Sequence, residues 1–172
     1  DHEGFPFLRP FEAAARALMD EGRWEGEGVT WRLLPGDIHE TLAQAGGDFE
    51  VVFYDPFSPK ANPSLWTPAL LAQVRAVCRE DAPGALLATY SAATPTRVSF
   101  LLAGFHVGAG AATGGKQETT VAATRPELLT APLGQRWLSR WERSSARGPH
   151  GAELTADDEA AVRAHPQLQG LG

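Results

Sequence analysis

The seven residues Phe49 to Asp55, FEVVFYD, do most to limit what this chain can fold into. Apolar, β-branched and aromatic side chains fill the run, which is too short for an ordinary helix and suits a strand. Pro56 follows at once. Proline has no amide hydrogen, and its ring pushes the preceding residue toward extended backbone, so the strand has to stop at a carboxylate, Asp55. Pro59 and Pro63 keep the next stretch irregular. So dense an apolar run predicts a strand covered on both faces, as in a parallel sheet flanked by helices.

The neighbouring segments fit that class. Phe11 to Glu21, FEAAARALMDE, has helical apolar spacing, with Pro10 before it and Gly22 at its end. Val29 to Leu34 reads as a strand closed by Pro35 and Gly36, and Ile38 to Gly46 as a short helix that Asp37 caps. A helix is expected from Thr67 to Glu80, a strand within APGALLATYSA, and a helix in TPTRVSFLLAG with Pro95 at its start. FHVGAGAA and QETTVAAT read as two strands joined through Gly114 and Gly115. Strands alternating with helices, then an antiparallel hairpin, predict an α/β fold with a mostly parallel sheet. Ligands of such sheets sit beyond the carboxyl ends of the strands, where Asp37, Asp55 and Ser91 fall. Residues 148–172 are polar and turn-rich around one short helix, with no function assigned.

Composition removes several classes. The single cysteine, Cys78, excludes an internal disulfide and fits a reducing, cytoplasmic setting. No apolar run approaches the ~20 residues of a membrane span, and no signal peptide opens the chain, so no membrane partner is expected. The net charge of −6 argues against tight nonspecific nucleic-acid binding. The charge is uneven, however. Residues 113–147 sum to +3, with Lys116, Arg125, Arg136, Arg140, Arg143 and Arg147 against three glutamates, while the flanks sum to −6 and −3. This stretch is either a helix with arginines on its wet face or a local phosphate-facing patch. His2, His39, His106, His150 and His165 share no ligand spacing with one another or with Cys78, so they read as lone surface or turn residues and no metal is expected. GAGAATGG lacks the strand and helix context of a dinucleotide loop, and there is no Gly-x-Ser-x-Gly elbow.

Two carboxylates remain as candidates. Asp55 is either a turn former or one wall of a reaction site. In the second reading it accepts an N–H bond from an amine, while Phe57 offers a flat apolar face that excludes water; this arrangement suits group transfer onto nitrogen. Asp37 is either only a helix cap or, with its other oxygen, also an acceptor for an exocyclic amine such as that of adenine, with Ile38 packing on the ring. Lys116 and Glu118, at the start of the last strand, read as an exposed hairpin ion pair.

Taken in order, LLPGDIHETL, FEVVFYDPFSPKANPSLWT, GALLATYSAATPTRVSFLLAGFHV, GGKQETTVAAT and PLGQRWLSRW closely resemble the MnmC-type methyltransferase family. The resemblance runs from about Val29 to Arg147. It implies a Rossmann-type methyltransferase sheet with an antiparallel last strand, and S-adenosyl-L-methionine as cofactor. It implies N-methylation of 5-aminomethyl-2-thiouridine at the tRNA wobble position, with a flavin-dependent oxidase acting upstream to make the aminomethyl group. Asp37 and Ile38 would lie by the adenine. Asp55, Pro56 and Phe57 would line the methyl-transfer site, and Lys60, Asn62, Trp66, Tyr90, Ser91 and Lys116 would border the substrate. On this reading residues 1–147 are the C-terminal part of the methyltransferase domain and residues 148–172 a polar extension. The glycine-rich loop and acidic ribose residue of the family are not found in this sequence, so the N-terminal strands of the sheet are expected to be missing. Either the chain is part of a longer protein, or the Val29 and Phe49 strands pair directly. Action on another amine, and a noncatalytic remnant, are the alternatives.

Overall fold

The computed structural model describes residues 6–112 and 118–170, in two compact units, residues 1–45 and residues 46–172. In the first, a 3-10 turn, Pro6–Phe11, leads into helix α1, Glu12–Glu21. Gly22 ends α1 at φ 70°, its N–H returning to Leu18 O at 3.1 Å. This left-handed backbone favours glycine, the residue expected there. Strands β1, Arg23–Gly26, and β2, Val29–Arg32, then form an antiparallel hairpin with Trp24 opposite Trp31. Glu27 and Gly28 turn it at φ 52° and 77°, the positive pair that a two-residue hairpin loop requires. Asp37 caps helix α2, Ile38–Thr41, which continues as a 3-10 turn, Leu42–Gln44.

The second unit is built on a four-stranded sheet. Its strands are β3, Val51–Phe53; β4, Leu86–Thr89; β5, His106–Gly110; and β6, Thr119–Ala123, in the order β3-β4-β6-β5. β3 is parallel to β4, and β6 is antiparallel to both β4 and β5. Three strands therefore point one way and the last runs against them, as expected; the last strand also inserts between β4 and β5. The turn of that hairpin, with Gly114, Gly115 and Lys116, lies outside the described residues.

Helices α3, Pro68–Ala76; α4, Thr94–Leu102; α5, Gln135–Glu142; and α6, Ala156–Arg163, complete the unit. Six consecutive α4 residues, Thr96 to Leu101, are buried, so this helix is covered all round: α3, α6 and β5 contact it. Leu70, Leu71, Leu87, Val107, Phe105 and Trp141 add the bulk of the core. Residues 148–172 contribute too, through buried Val162 and Leu168. The outer edge of β5 is closed by residues 131–133: Ala109 N–H donates to Ala131 O at 2.8 Å and Leu133 N–H to Val107 O at 2.9 Å. A Cβ on Gly108 would meet Ala131 O at 2.8 Å, so only glycine permits that approach.

One expectation is corrected at β3. Val51 is 59% and Phe53 84% exposed, so the strand is not covered on both faces. β3 ends the sheet order and has a neighbour only in β4. The Val29 strand, in the first unit, pairs with β1. Apolar content registers what a strand could bury, not which elements lie against it. Among the described residues no helix is long and apolar enough to cross a membrane.

Candidate active site

The site forms where β3 and β4 end side by side. Their register sets Phe53 level with Ala88, and Tyr54 N–H extends the ladder to Ala88 O at 2.8 Å. That brings Asp55 level with the residues after β4. One carboxylate oxygen, Oδ1, accepts from Thr89 Oγ1 and from Tyr90 N–H, both at 3.0 Å. The carboxylate is thus pinned across two strands by one oxygen. Asp55 itself is exposed, and among the described residues no hydrogen bond to Oδ2 is formed, so this oxygen remains open to an incoming donor.

A rigid underside supports this end of β3. Tyr54 is buried; its hydroxyl donates to Leu65 O, and its ring meets Trp66 edge-on at 5.5 Å. Burial pushes the Tyr54 hydroxyl up to about 12, so it stays a phenol. Trp66 is fully buried, and its indole N–H donates to Phe57 O at 2.9 Å. It shapes the Pro56–Asn62 loop from below and is not open to a ligand. Ala61 and Asn62 amides both donate to Ser58 O, at 2.8 and 3.0 Å, which tightens the loop and sets Lys60 exposed at its bend. Phe57, two residues after Asp55, is 76% exposed, and Tyr90, whose N–H holds the carboxylate, is 41% exposed. Asn62 is half-buried, and Ser91 is buried at the end of β4.

Asp37 and Ile38 belong to residues 1–45. Asp37 Oδ1 accepts from His39 N–H at 2.9 Å, the cap expected, and the residue is otherwise exposed. Among the described residues its Oδ2 accepts no hydrogen bond; Ile38 beside it is half-buried.

The basic stretch divides. Arg147 pairs with Glu159 at 3.2 Å and lies over the Trp141 ring, so it is structural. Arg136, Arg140 and Arg143 are exposed and form no ion pair among the described residues. Arg136 and Arg140 are one helical turn apart and, with Arg97, Glu118, Leu133 and Trp137, line a cavity of about 250 Å³. Arg97 holds Glu118 at 2.8 Å and Thr120 Oγ1 at 3.1 Å, and Thr120 pairs with Thr89, the residue bonded to Asp55. Glu118 thus pairs with Arg97, while Lys116, its expected hairpin partner, lies outside the described residues.

Several contributors escaped the sequence reading. Thr89 was absent from it, although strands of a parallel sheet ending at one level would have flagged the residue beside Asp55. His165, read as a surface or turn residue, is buried with its ring 5.5 Å from that of His106. No group of three or more His, Cys, Asp or Glu able to hold a metal exists among the described residues.

The model of the S-adenosyl-L-methionine-dependent methyltransferase family matches residues 13–125. A tRNA 5-methylaminomethyl-2-thiouridine biosynthesis bifunctional protein MnmC from Methylibium petroleiphilum is 38% identical over 66% of this chain and 17% of its own length. The protein of the same name from Aromatoleum aromaticum is 32% identical over 99% of this chain and 27% of its own length. The chain thus spans about a quarter or less of these relatives. The crystal structure of MNMC2 from Aquifex aeolicus superposes with a TM-score of 0.69 at 25% identity, over 92% of this chain and 50% of that one.

Proposed function

Since this chain belongs to the S-adenosyl-L-methionine-dependent methyltransferase family, we propose that it methylates the amine of 5-aminomethyl-2-thiouridine at the tRNA wobble position, with Asp55 as the group that receives the amine. The observation that carries this reading is the half-committed Asp55 carboxylate, with Oδ1 held by Thr89 Oγ1 and Tyr90 N–H and Oδ2 open. The names of the relatives supply the substrate.

The residues divide the work as follows. Asp37 Oδ2, with Ile38, would hold the adenine end of the cofactor. When bound, the cofactor supplies an electrophilic methyl group. Asp55 Oδ2 accepts an N–H of the amine, orients the nitrogen lone pair and takes the proton the nitrogen releases. Phe57 and Tyr90 flank the amine with apolar surface, which keeps water from competing for Asp55. Lys60 and Asn62 border the nucleotide from the loop that Trp66 fixes. Lys116, outside the described residues, follows as a further substrate contact. Arg136, Arg140 and Arg143 meet tRNA phosphates. A flavin-dependent oxidase acting upstream supplies the primary amine, and the reaction runs in the cytoplasm.

The test is mass spectrometry of nucleosides from tRNA incubated with the cofactor and the protein at its natural length. tRNA bearing the aminomethyl group should gain one methyl at nitrogen, and tRNA lacking it should gain none. Methylation of a free small amine, with tRNA left untouched, would overturn the tRNA assignment.

A further inference from the structure

A chain of hydroxyls leads from Ser91, next in sequence to the Tyr90 whose N–H holds Asp55, to a histidine that none of the roles above uses. Ser91 Oγ is 2.9 Å from Thr96 Oγ1, and Thr96 Oγ1 is 3.0 Å from His150 Nε2. Thr96 is fully buried, so its hydroxyl cannot exchange these partners freely for water, whereas Ser91 keeps 9% of its surface exposed. His150 is fixed from two further sides. Its backbone N–H donates to Ser99 Oγ at 3.0 Å, and its ring meets Trp66 edge-on at 6.1 Å. Trp66 is the residue whose indole holds Phe57 O. One imidazole therefore touches the supports of both walls of the site: Ser91 after β4 through Thr96, and the Phe57 loop through Trp66.

Each hydroxyl has one proton, so the chain has a direction. With Nε2 bare, Thr96 donates to His150, Ser91 donates to Thr96, and the Ser91 lone pairs remain for the site. With Nε2 protonated, each bond reverses and Ser91 keeps a proton to donate. An amine nucleophile offers N–H donors and needs acceptors; the first direction leaves both Ser91 lone pairs for it, the second leaves one and sets a hydroxyl proton against the amine hydrogens. Burial lowers the affinity of His150 for a proton, which favours the neutral ring, in which one of the two nitrogens is bare.

We propose that His150 is a positioning residue: bare at Nε2, it aims the Ser91 hydroxyl through Thr96 so that Ser91 accepts a hydrogen bond from the substrate amine. The acceptor role of Ser91 rests on the amine-methylation reading; the tautomer of His150 can be measured apart from it.

The experiment uses the protein at its natural length and has two readouts. Long-range ¹⁵N–¹H correlation of the imidazoles near neutral pH should show His150 protonated at Nδ1 and bare at Nε2, and Thr96→Val should remove that preference. A ring protonated at Nε2, or one indifferent to Thr96→Val, overturns the proposal whether or not the protein methylates anything. In the methylation assay His150→Phe keeps a ring against Trp66 but removes the acceptor. It should raise KM for the aminomethyl substrate about tenfold, roughly one hydrogen bond, without changing the thermal midpoint by more than a few degrees. His150→Gln, whose amide oxygen can accept from Thr96, should recover most of the loss. Adding His150→Phe to Ser91→Ala should cost nothing further. Unchanged kinetics in His150→Phe, or additive losses in the double variant, would overturn it. Failure of the parent protein to methylate tRNA would instead count against the reading under Proposed function, with the tautomer still deciding the direction of the chain.

Discussion

Replacing Trp66 with phenylalanine separates the indole N–H from the aromatic packing around it. Trp66 is fully buried, donates to Phe57 O at 2.9 Å and meets Tyr54 edge-on at 5.5 Å. Phenylalanine retains a ring for the Tyr54 contact and loses the donor. The hydrogen bond is worth about 1 kcal/mol. The smaller side chain leaves roughly 30–40 Å³ unfilled, which at ~24 cal/mol per Å³ adds about 1 kcal/mol. A loss of about 2 kcal/mol lowers the thermal midpoint of a unit this size by roughly 6–10 °C. The loop should respond more than the sheet. Ala61 and Asn62 amides, bonded to Ser58 O, should lose more hydrogen-exchange protection than Leu87 and Ala122 in β4 and β6. Calorimetry and exchange mass spectrometry read both effects. A midpoint change below about 2 °C, or a uniform loss of protection, would refute the idea that the indole ties down the Phe57 loop.

Two further outcomes follow from the charges. Arg136→Glu with Arg140→Glu should weaken tRNA binding and reduce the slope of log affinity against log salt by about 2, as two phosphate contacts are lost; filter binding at several salt concentrations checks it, and an unchanged slope would remove the patch. Burial, with His106 and Arg75 nearby, pushes the His165 imidazole down to about 4. The unfolded chain takes up this proton near pH ~6.5 and the folded one only near 4, so the stability present above ~6.5 is lost as pH falls toward 4, by about 3 kcal/mol. Urea melts across this range should show that loss, and His165→Gln should shrink it.

Much of the fold was legible because its signals are local. Gly22 ends α1, Asp37 caps α2, Pro56 follows β3, and the alternation of strands and helices carries the direction of three strands. β1 was missed because RWEG is four residues long and half charged; only pairing with β2 makes it a strand. The exposure of Val51 and Phe53 was missed because apolar side chains do not record whether a partner is present. In the site, Asp55 and Phe57 stood out through the rigid Asp-Pro-Phe turn. Thr89, Thr96 and His150 did not. Their roles depend on contacts 34 and 54 residues apart, Thr89 to Asp55 and Thr96 to His150, which no local pattern encodes. The split of the arginines is similar: only the placement of Glu159 takes Arg147 out of the basic stretch.

The most direct measurement is the single-turnover rate of methyl transfer to aminomethyl tRNA by the protein at its natural length, Asp55→Asn against the parent. Asparagine keeps an oxygen for Thr89 and Tyr90 N–H and removes the charge, so the fold should stand while the amine loses its proton acceptor. The predicted result is a fall of about a hundredfold or more, with the affinity for S-adenosyl-L-methionine little changed. A variant that transfers methyl at the parent rate would contradict the role given to Asp55.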